Sequence, residues 1–266
     1  MTSDILHHKI YQRPDCDNWV VFVHGAGGSS SIWFKQIKEY KKHFNILLVD
    51  LRGHGGSANL VHDIFKKKYT FSAISDDIIR LLDYLNIKVA HFIGMSLGTI
   101  VIRAIAENHP ERVKSMVLGG AITRLDSRSE ILIKLGHYCK DWVPYMWLYK
   151  LFAYIIMPKS THKESRHLFI KEAKKLCQKE FKRWFKLATE VNPIMKVFKE
   201  RELAIPTLYI MGTEDYMFLK PVKDMVAKHR LSYLSEIPDC GHVCNIDKPD
   251  EFNSYSIDFI QRHRVI

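Results

Sequence analysis

The chain has 266 residues, 47% of them hydrophobic and 26% charged, with a formal net charge of +11. That length and apolar share support a sizeable buried core, and no internal repeat or low-complexity linker interrupts it. Every stretch of 18 residues contains a charge, which excludes an ordinary spanning helix, and residues 1–9 lack the basic and apolar regions of a secretory leader.

In chain order, the first strong element is the apolar run Trp19-Val20-Val21-Phe22-Val23, ending at His24-Gly25. Ile46 to Val49 is a second such run, Val89 to Ile93 a third and Ser115 to Leu118 a fourth, each closed by an aspartate or a glycine. Continuous β-branched runs bounded by glycine fit parallel strands buried on both faces. Between the second and third runs, Ile78, Leu81, Leu82 and Leu85 make one helical face, with Ser75 as the expected cap and Asp76 and Asp77 in the first turn. Thr99 to Asn108 reads as the next helix and Pro110 as its end. From Leu125 to about Arg201 the pattern is helical. Strands return at Thr207–Met211 and Leu231–Ile237, and Phe252, Tyr255 and Phe259 mark a closing helix. The expected domains are an α/β core over 1–122 and 204–266 and a helical cap over 123–203.

The strongest chemical signal is Gly94-Met95-Ser96-Leu97-Gly98, a G-x-S-x-G pentapeptide after a strand and before a helix. The serine must sit on a sharp turn, so small neighbours are needed where strand and helix approach. The turn also sets its hydroxyl at a helix N-terminus, where the dipole favours developing negative charge. A serine hydroxyl needs a base. Gly212-Thr213-Glu214-Asp215 and Asp239-Cys240-Gly241-His242 follow the last two strands, so a carboxylate and an imidazole lie at the same sheet edge. Asp215 is the expected acid, Glu214 its rival, and His242 the expected base. His24-Gly25-Ala26-Gly27-Gly28 follows the first strong strand, and the backbone N–H groups of Ala26 and Leu97 are the expected oxyanion donors. In Asp50-Leu51-Arg52-Gly53-His54-Gly55, Asp50 and Arg52 read as loop ties. His24, His54 and His91 read as braces, and His7, His8, His62, His109, His162 and His229 as surface or satisfied polar histidines.

These segments, with His109-Pro110-Glu111-Arg112-Val113 and Lys248-Pro249-Asp250-Glu251-Phe252, resemble the α/β-hydrolase superfamily in its capped serine hydrolase branch, esterase- or lipase-like. The resemblance covers about 185 residues flanking the helical stretch. It implies a mostly parallel sheet of seven to eight strands, with the cap inserted after the sixth and one N-terminal strand open to doubt. It implies a Ser96, Asp215 and His242 triad and no cofactor. A serine at the elbow argues against the dehalogenase and epoxide hydrolase members, which use aspartate. Carboxylesterase, thioesterase, C–C bond hydrolase, perhydrolase and lyase members with the same triad stay open. So do signalling or receptor-type members with little turnover.

The helical stretch carries the charge asymmetry. Thr123 to Pro206 holds 18 basic and 9 acidic residues, nine of the eleven net positive charges. Its first half is rich in large apolar groups, of which Trp142, Trp147 and Phe152 are the expected substrate contacts. Its second half reads as one amphipathic helix, Phe169 to Ala188, with lysines at 171, 174, 175, 179, 182 and 186 around the other side. Peripheral contact with anionic membrane is an expectation from that face, whereas nothing resembles a nucleic-acid-binding module. Five sparse cysteines suit a reducing cytoplasm, and the spacing of Cys240 and Cys244 around His242 matches no zinc pattern, so no metal is expected. The resulting expectation is a cytoplasmic serine hydrolase for a small-molecule ester.

Overall fold

The computed structural model describes residues 5–58, 69–124, 142–188, 191, 194–195 and 201–263. Seven strands form one sheet: β1 (His8–Tyr11), β2 (Trp19–Val23), β3 (Asn45–Val49), β4 (Ala90–Met95), β5 (Val113–Gly119), β6 (Thr207–Gly212) and β7 (Ser232–Ile237). Their order is β1-β3-β2-β4-β5-β6-β7. β1 runs antiparallel to β3, and every other pairing is parallel. Six strands lie where the apolar runs place them. β1 escapes that reading because His8-Lys9-Ile10-Tyr11 is a half-exposed edge strand with no apolar run. It is the single described strand before β2. The helical stretch therefore follows the fifth strand of the described seven, not the sixth.

Alternation of side chains across the strands builds two cores. Val21, Val23, Leu47, Val49, Phe92 and Met116 face one way, against α2 (Phe71–Tyr84), α3 (Leu97–Asn108) and α7 (Leu219–Val226). Val20, Phe22, Ile46, Leu48, Ile93 and Val117 face the other, against α1 (Phe34–Tyr40), α8 (Cys244–Asp247) and α9 (Pro249–Arg262). A sheet covered on both faces explains why its strands read as unbroken apolar runs. The cap of α2 is Thr70, whose side chain accepts from the Ala73 N–H, and not Ser75. Ser75 lies inside the helix and donates to the Ser72 carbonyl. The helix begins five residues earlier because Phe71 and Ile74 also bury against the sheet.

Between β5 and β6 lie α4 (Tyr145–Ile156), α5 (Lys163–Ala173) and α6 (Gln178–Ala188). The expected single helix over 169–188 is two helices separated by a turn at 174–177, where Cys177 is exposed. Leu148, Tyr149, Ala173, Leu176, Phe181 and Phe185 form their shared core, while Trp184 and Leu187 join the main one. The expected helical character of 125–141 lies outside the described residues.

Chain order reverses at the neighbours β3-β2-β4, so the loops leaving β2 and β4 diverge from adjacent strands. Ligands of open α/β sheets bind at the carboxyl ends of the strands, at such a reversal. The loop at 24–28 and Ser96 both sit there.

Candidate active site

Ser96 occupies the turn between β4 and α3 with φ 54° and ψ −121°, a conformation disfavoured for a residue with a side chain. Two close approaches hold it. A Cβ on Gly98 would collide with the carbonyl oxygens of Val23 and His24, so glycine lets α3 start directly against β2. A Cβ on Gly25 would lie 3.1 Å from the Ser96 Cβ, so glycine lets the loop after β2 touch the elbow. Ser96 N–H donates to the Gly119 carbonyl at 2.9 Å, which ties the turn to the end of β5.

Asp215 and His242 reach the same place from the ends of β6 and β7. The two loops are joined by backbone bonds from Thr213 to Ile237 (3.0 Å) and from Glu214 to Cys240 (2.9 Å). His242 Nε2 lies 2.9 Å from Ser96 Oγ, and its Nδ1 lies 2.8 Å from Asp215 Oδ2. An ionised carboxylate only accepts, so the tautomer with hydrogen on Nδ1 satisfies both contacts and leaves Nε2 as acceptor for the serine hydroxyl. The Phe218 N–H donates to the other Asp215 oxygen at 3.3 Å, and the Phe218 ring lies 5.1 Å from the imidazole. His242 and Asp215 are both buried.

The rival acid is engaged elsewhere. Glu214 accepts from Lys159 Nζ at 2.5 Å and contacts His162 Nε2 at 2.8 Å. It fastens the segment before α5 to the loop after β6. His162, read from sequence as a surface or satisfied polar residue, is fully buried with its Nε2 against Glu214. No local signal marks it, because its partner is 52 residues away in the chain.

The neighbouring loops are braced as expected. Asp50 accepts from the Ser30 and Gly56 N–H groups, and Arg52 donates to Asp77 at 2.5 Å. His91 contacts Ser115 Oγ at 2.7 Å. His24 Nε2 accepts from the Leu51 N–H, and His54 Nε2 accepts from the Gly27 N–H, each at 3.0 Å. Burial lowers the pKa of both imidazoles, that of His54 to about 3, where the nearby His24 adds to the effect. Neutral rings are what those accepting nitrogens require.

Leu97 is the first residue of α3, so its N–H has no partner within the helix. Ala26 lies beside the elbow through the Gly25 approach. Both N–H groups are thus at the end of the sheet where the Ser96 hydroxyl stands.

A small cavity of about 60 Å³ opens over Ser96 and His242. Gly25, Ala26 and Ile32 line its floor, and Ile156, Met157, Leu168, Phe169 and Glu172 line it from the helical stretch. Trp142, Trp147 and Phe152 do not line it. Trp142 is 90% and Trp147 70% exposed, and Phe152 packs against Phe185 at 6.1 Å. Size alone favours these rings, but α4 turns Leu148, Tyr149 and Ala153 inward. Glu172, not anticipated, shares the spacing of Phe169, Ala173 and Leu176, and a lone acid on an apolar stripe was the available signal.

Cys240 and Cys244 are free and buried, and burial pushes both thiols up, Cys244 to about 12. Among the described residues, no group of three His, Cys, Asp or Glu side chains could hold a metal ion, and no helix is long and apolar enough to cross a membrane.

An elbow serine after the fourth strand of a mostly parallel sheet is the architecture of the α/β-hydrolase fold, and the family described by that name matches residues 18–142. A RutD protein from Caulobacter sp. (strain K31), provisionally named a carbamate hydrolase, is 34% identical over 126 residues, 47% of this chain and 46% of that one. The chain thus spans about half the length of that relative. The 3-oxoadipate enol-lactonase 2 of Acinetobacter baylyi is 21% identical over 241 residues, 88% of this chain and 85% of that one. A thermophilic esterase from Thermogutta terrifontis superposes with a TM-score of 0.80 at 20% identity, over 98% of this chain and 94% of that one. The chain has the α/β-hydrolase fold, and over residues 18–142 it matches the family of that description.

Proposed function

We propose that the chain is a serine hydrolase that cleaves a carboxylic ester through an acyl-enzyme. The observation that carries this reading is the continuous Ser96–His242–Asp215 hydrogen-bonded chain, 2.9 Å and then 2.8 Å. Hydrolase chemistry as a class is also what the relatives' names describe for those proteins.

The steps follow from the atoms. His242 Nε2 takes the Ser96 proton as Oγ attacks the ester carbonyl. Asp215 holds the opposite nitrogen and stabilises the imidazolium. The oxyanion forms between the Ala26 and Leu97 N–H groups, each worth roughly 3 kcal/mol of barrier. The imidazolium returns its proton to the leaving alcohol, and the acyl group stays on Oγ. Water then attacks the acyl-enzyme, giving its proton to His242, and Ser96 is restored as the carboxylic acid departs. The mainly apolar wall contributed by Ile156, Met157, Leu168 and Phe169 favours a hydrophobic acyl or monoacylglycerol-like ester.

Fluorophosphonate labelling with peptide mapping tests the reading. The label is expected on Ser96 and absent from a Ser96→Ala variant. A label elsewhere, or undiminished in that variant, rejects it. An ester chain-length series beside acyl thioesters then separates esterase from thioesterase action.

A further inference from the structure

Among the described residues lining the cavity over Ser96, two have ionisable side chains: His242 and Glu172. Glu172 is 4% exposed. Its Oε2 accepts from Ser29 Oγ at 2.6 Å, and its Oε1 pairs with Lys175 Nζ at 2.6 Å. Burial alone would push this carboxyl up. The hydrogen bonds from Lys175 and Ser29 outweigh that and hold it below its ordinary value, so it is ionised at neutral pH. Neither Ser29 nor Lys175 lines the cavity. A carboxylate has about four acceptor positions, more than Ser29, Ser31 and Lys175 fill. A carboxylate, ion-paired with Lys175, therefore stands in the wall of a mainly apolar cavity that also holds Ser96, Ser165 and His242.

We propose that Glu172 is the charge filter of this cavity, disfavouring acyl tails that end in a carboxylate relative to uncharged ones and favouring tails that present positive charge to it. The inference rests on the serine hydrolase reading and names the substrate class within it. Beside a mainly apolar wall, a like charge a few ångströms away lowers binding by about tenfold or more, whereas an opposite charge raises it. The disfavoured class includes half-esters of dicarboxylic acids. Glu172 also fastens α5 to the loop after β2, and a fastening role alone would leave charge preference untouched.

The test uses three p-nitrophenyl esters of equal acyl length, ending in trimethylammonium, tert-butyl or carboxylate. kcat and KM are measured on the full chain and on Glu172→Gln, Ser29→Ala and Ser96→Ala. The ratio of kcat/KM for the ammonium ester over the carboxylate ester is expected to be about ten or more in the native chain, carried by KM. It falls to within about threefold of unity in Glu172→Gln, which keeps the shape and removes the charge. Ser29→Ala removes one fastening bond but not the charge, so the ratio persists there. A flat charge profile with Ser96-dependent turnover overturns the filter alone, as does a ratio that survives in Glu172→Gln. Absence of Ser96-dependent turnover of all three esters overturns the hydrolase reading and the filter with it.

Discussion

The loops at the strand ends and the helices between β5 and β6 meet at one cavity, yet they are specified in different ways. The strand-end loops are fixed by backbone sterics. Gly25 and Gly98 are present because a Cβ would meet the Ser96 turn or the β2 carbonyls, and those constraints follow from neighbouring strands. The helices are fixed by which faces pair, through Tyr149 against Phe169 and Phe181, and Phe152 against Phe185. They are then attached to the core by polar ties, Glu172 to Ser29, Glu180 to Tyr69 and Glu214 to His162. On the proposed function, chemistry would belong to the half fixed by backbone sterics, and selection among substrates to the half held by side chains.

The sharpest way to break that division is at the nucleophile. Ser96→Ala is expected to lower kcat for any ester substrate by about 10⁴-fold or more while thermal unfolding stays nearly unchanged. The adjacent acids Asp215 and Glu214 provide the next contrast. Asp215→Asn should cost about 10⁴-fold in kcat, because the imidazole loses the partner that fixes its tautomer. Glu214→Gln should leave kcat within about threefold but cost roughly 1–3 kcal/mol of stability, since it weakens the tie to the buried His162, the half-exposed Lys159 adding little. Equal kinetic losses in the two variants would mean that both acids serve the imidazole.

Smaller effects sharpen the steric side. Gly98→Ala should destabilise the chain by about 2 kcal/mol in denaturant titration, because the clash is with backbone that cannot step aside. The neutral histidines give a pH signature. His24 and His54 have folded pKa values below the ordinary 6.5, with His54 at about 3. As pH falls below 6.5 the unfolded chain binds protons at these positions before the folded chain does. Their contribution is therefore complete above pH 6.5 and is lost progressively as pH falls towards 3. In His54→Gln, the slope of stability against pH between about pH 6 and 4 should be shallower by close to one proton. An unchanged slope would show that His54 is already charged in the folded state.

Much of the sheet was legible because burial on both faces writes continuous apolar runs, and the positions of Ser96, Asp215 and His242 follow from glycine turns at strand ends. β1 was not, because an edge strand with one antiparallel neighbour needs no such run. The cap of α2 was misplaced by five residues because Thr70 and Ser75 are both chemically able to cap, and only the burial of Phe71 and Ile74 decides between them. The pairing of His162 was not legible, since Glu214 lies 52 residues away in the chain. The apolar helices were recognisable as such, but composition is silent on which way a ring points.

That last point carries the smallest prediction and the most direct one on the comparison. Trp147 and Phe169 are both large rings on the helical stretch, and size alone ranks the tryptophan as the better substrate contact. In the fold, Trp147 is 70% exposed on α4, while Phe169 faces the cavity over Ser96. Trp147→Ala should therefore shift stability by less than about 0.5 kcal/mol and KM for an apolar ester by less than about twofold. Phe169→Ala removes part of the cavity wall together with the contact to Tyr149 at 5.4 Å, so KM should rise by about fivefold or more. If instead the tryptophan variant carried the KM change, α4 would have to present its opposite face to the site. The pairings of Tyr149 with Phe169 and Phe181 could not then coexist with substrate, and the helices would have to rearrange before binding.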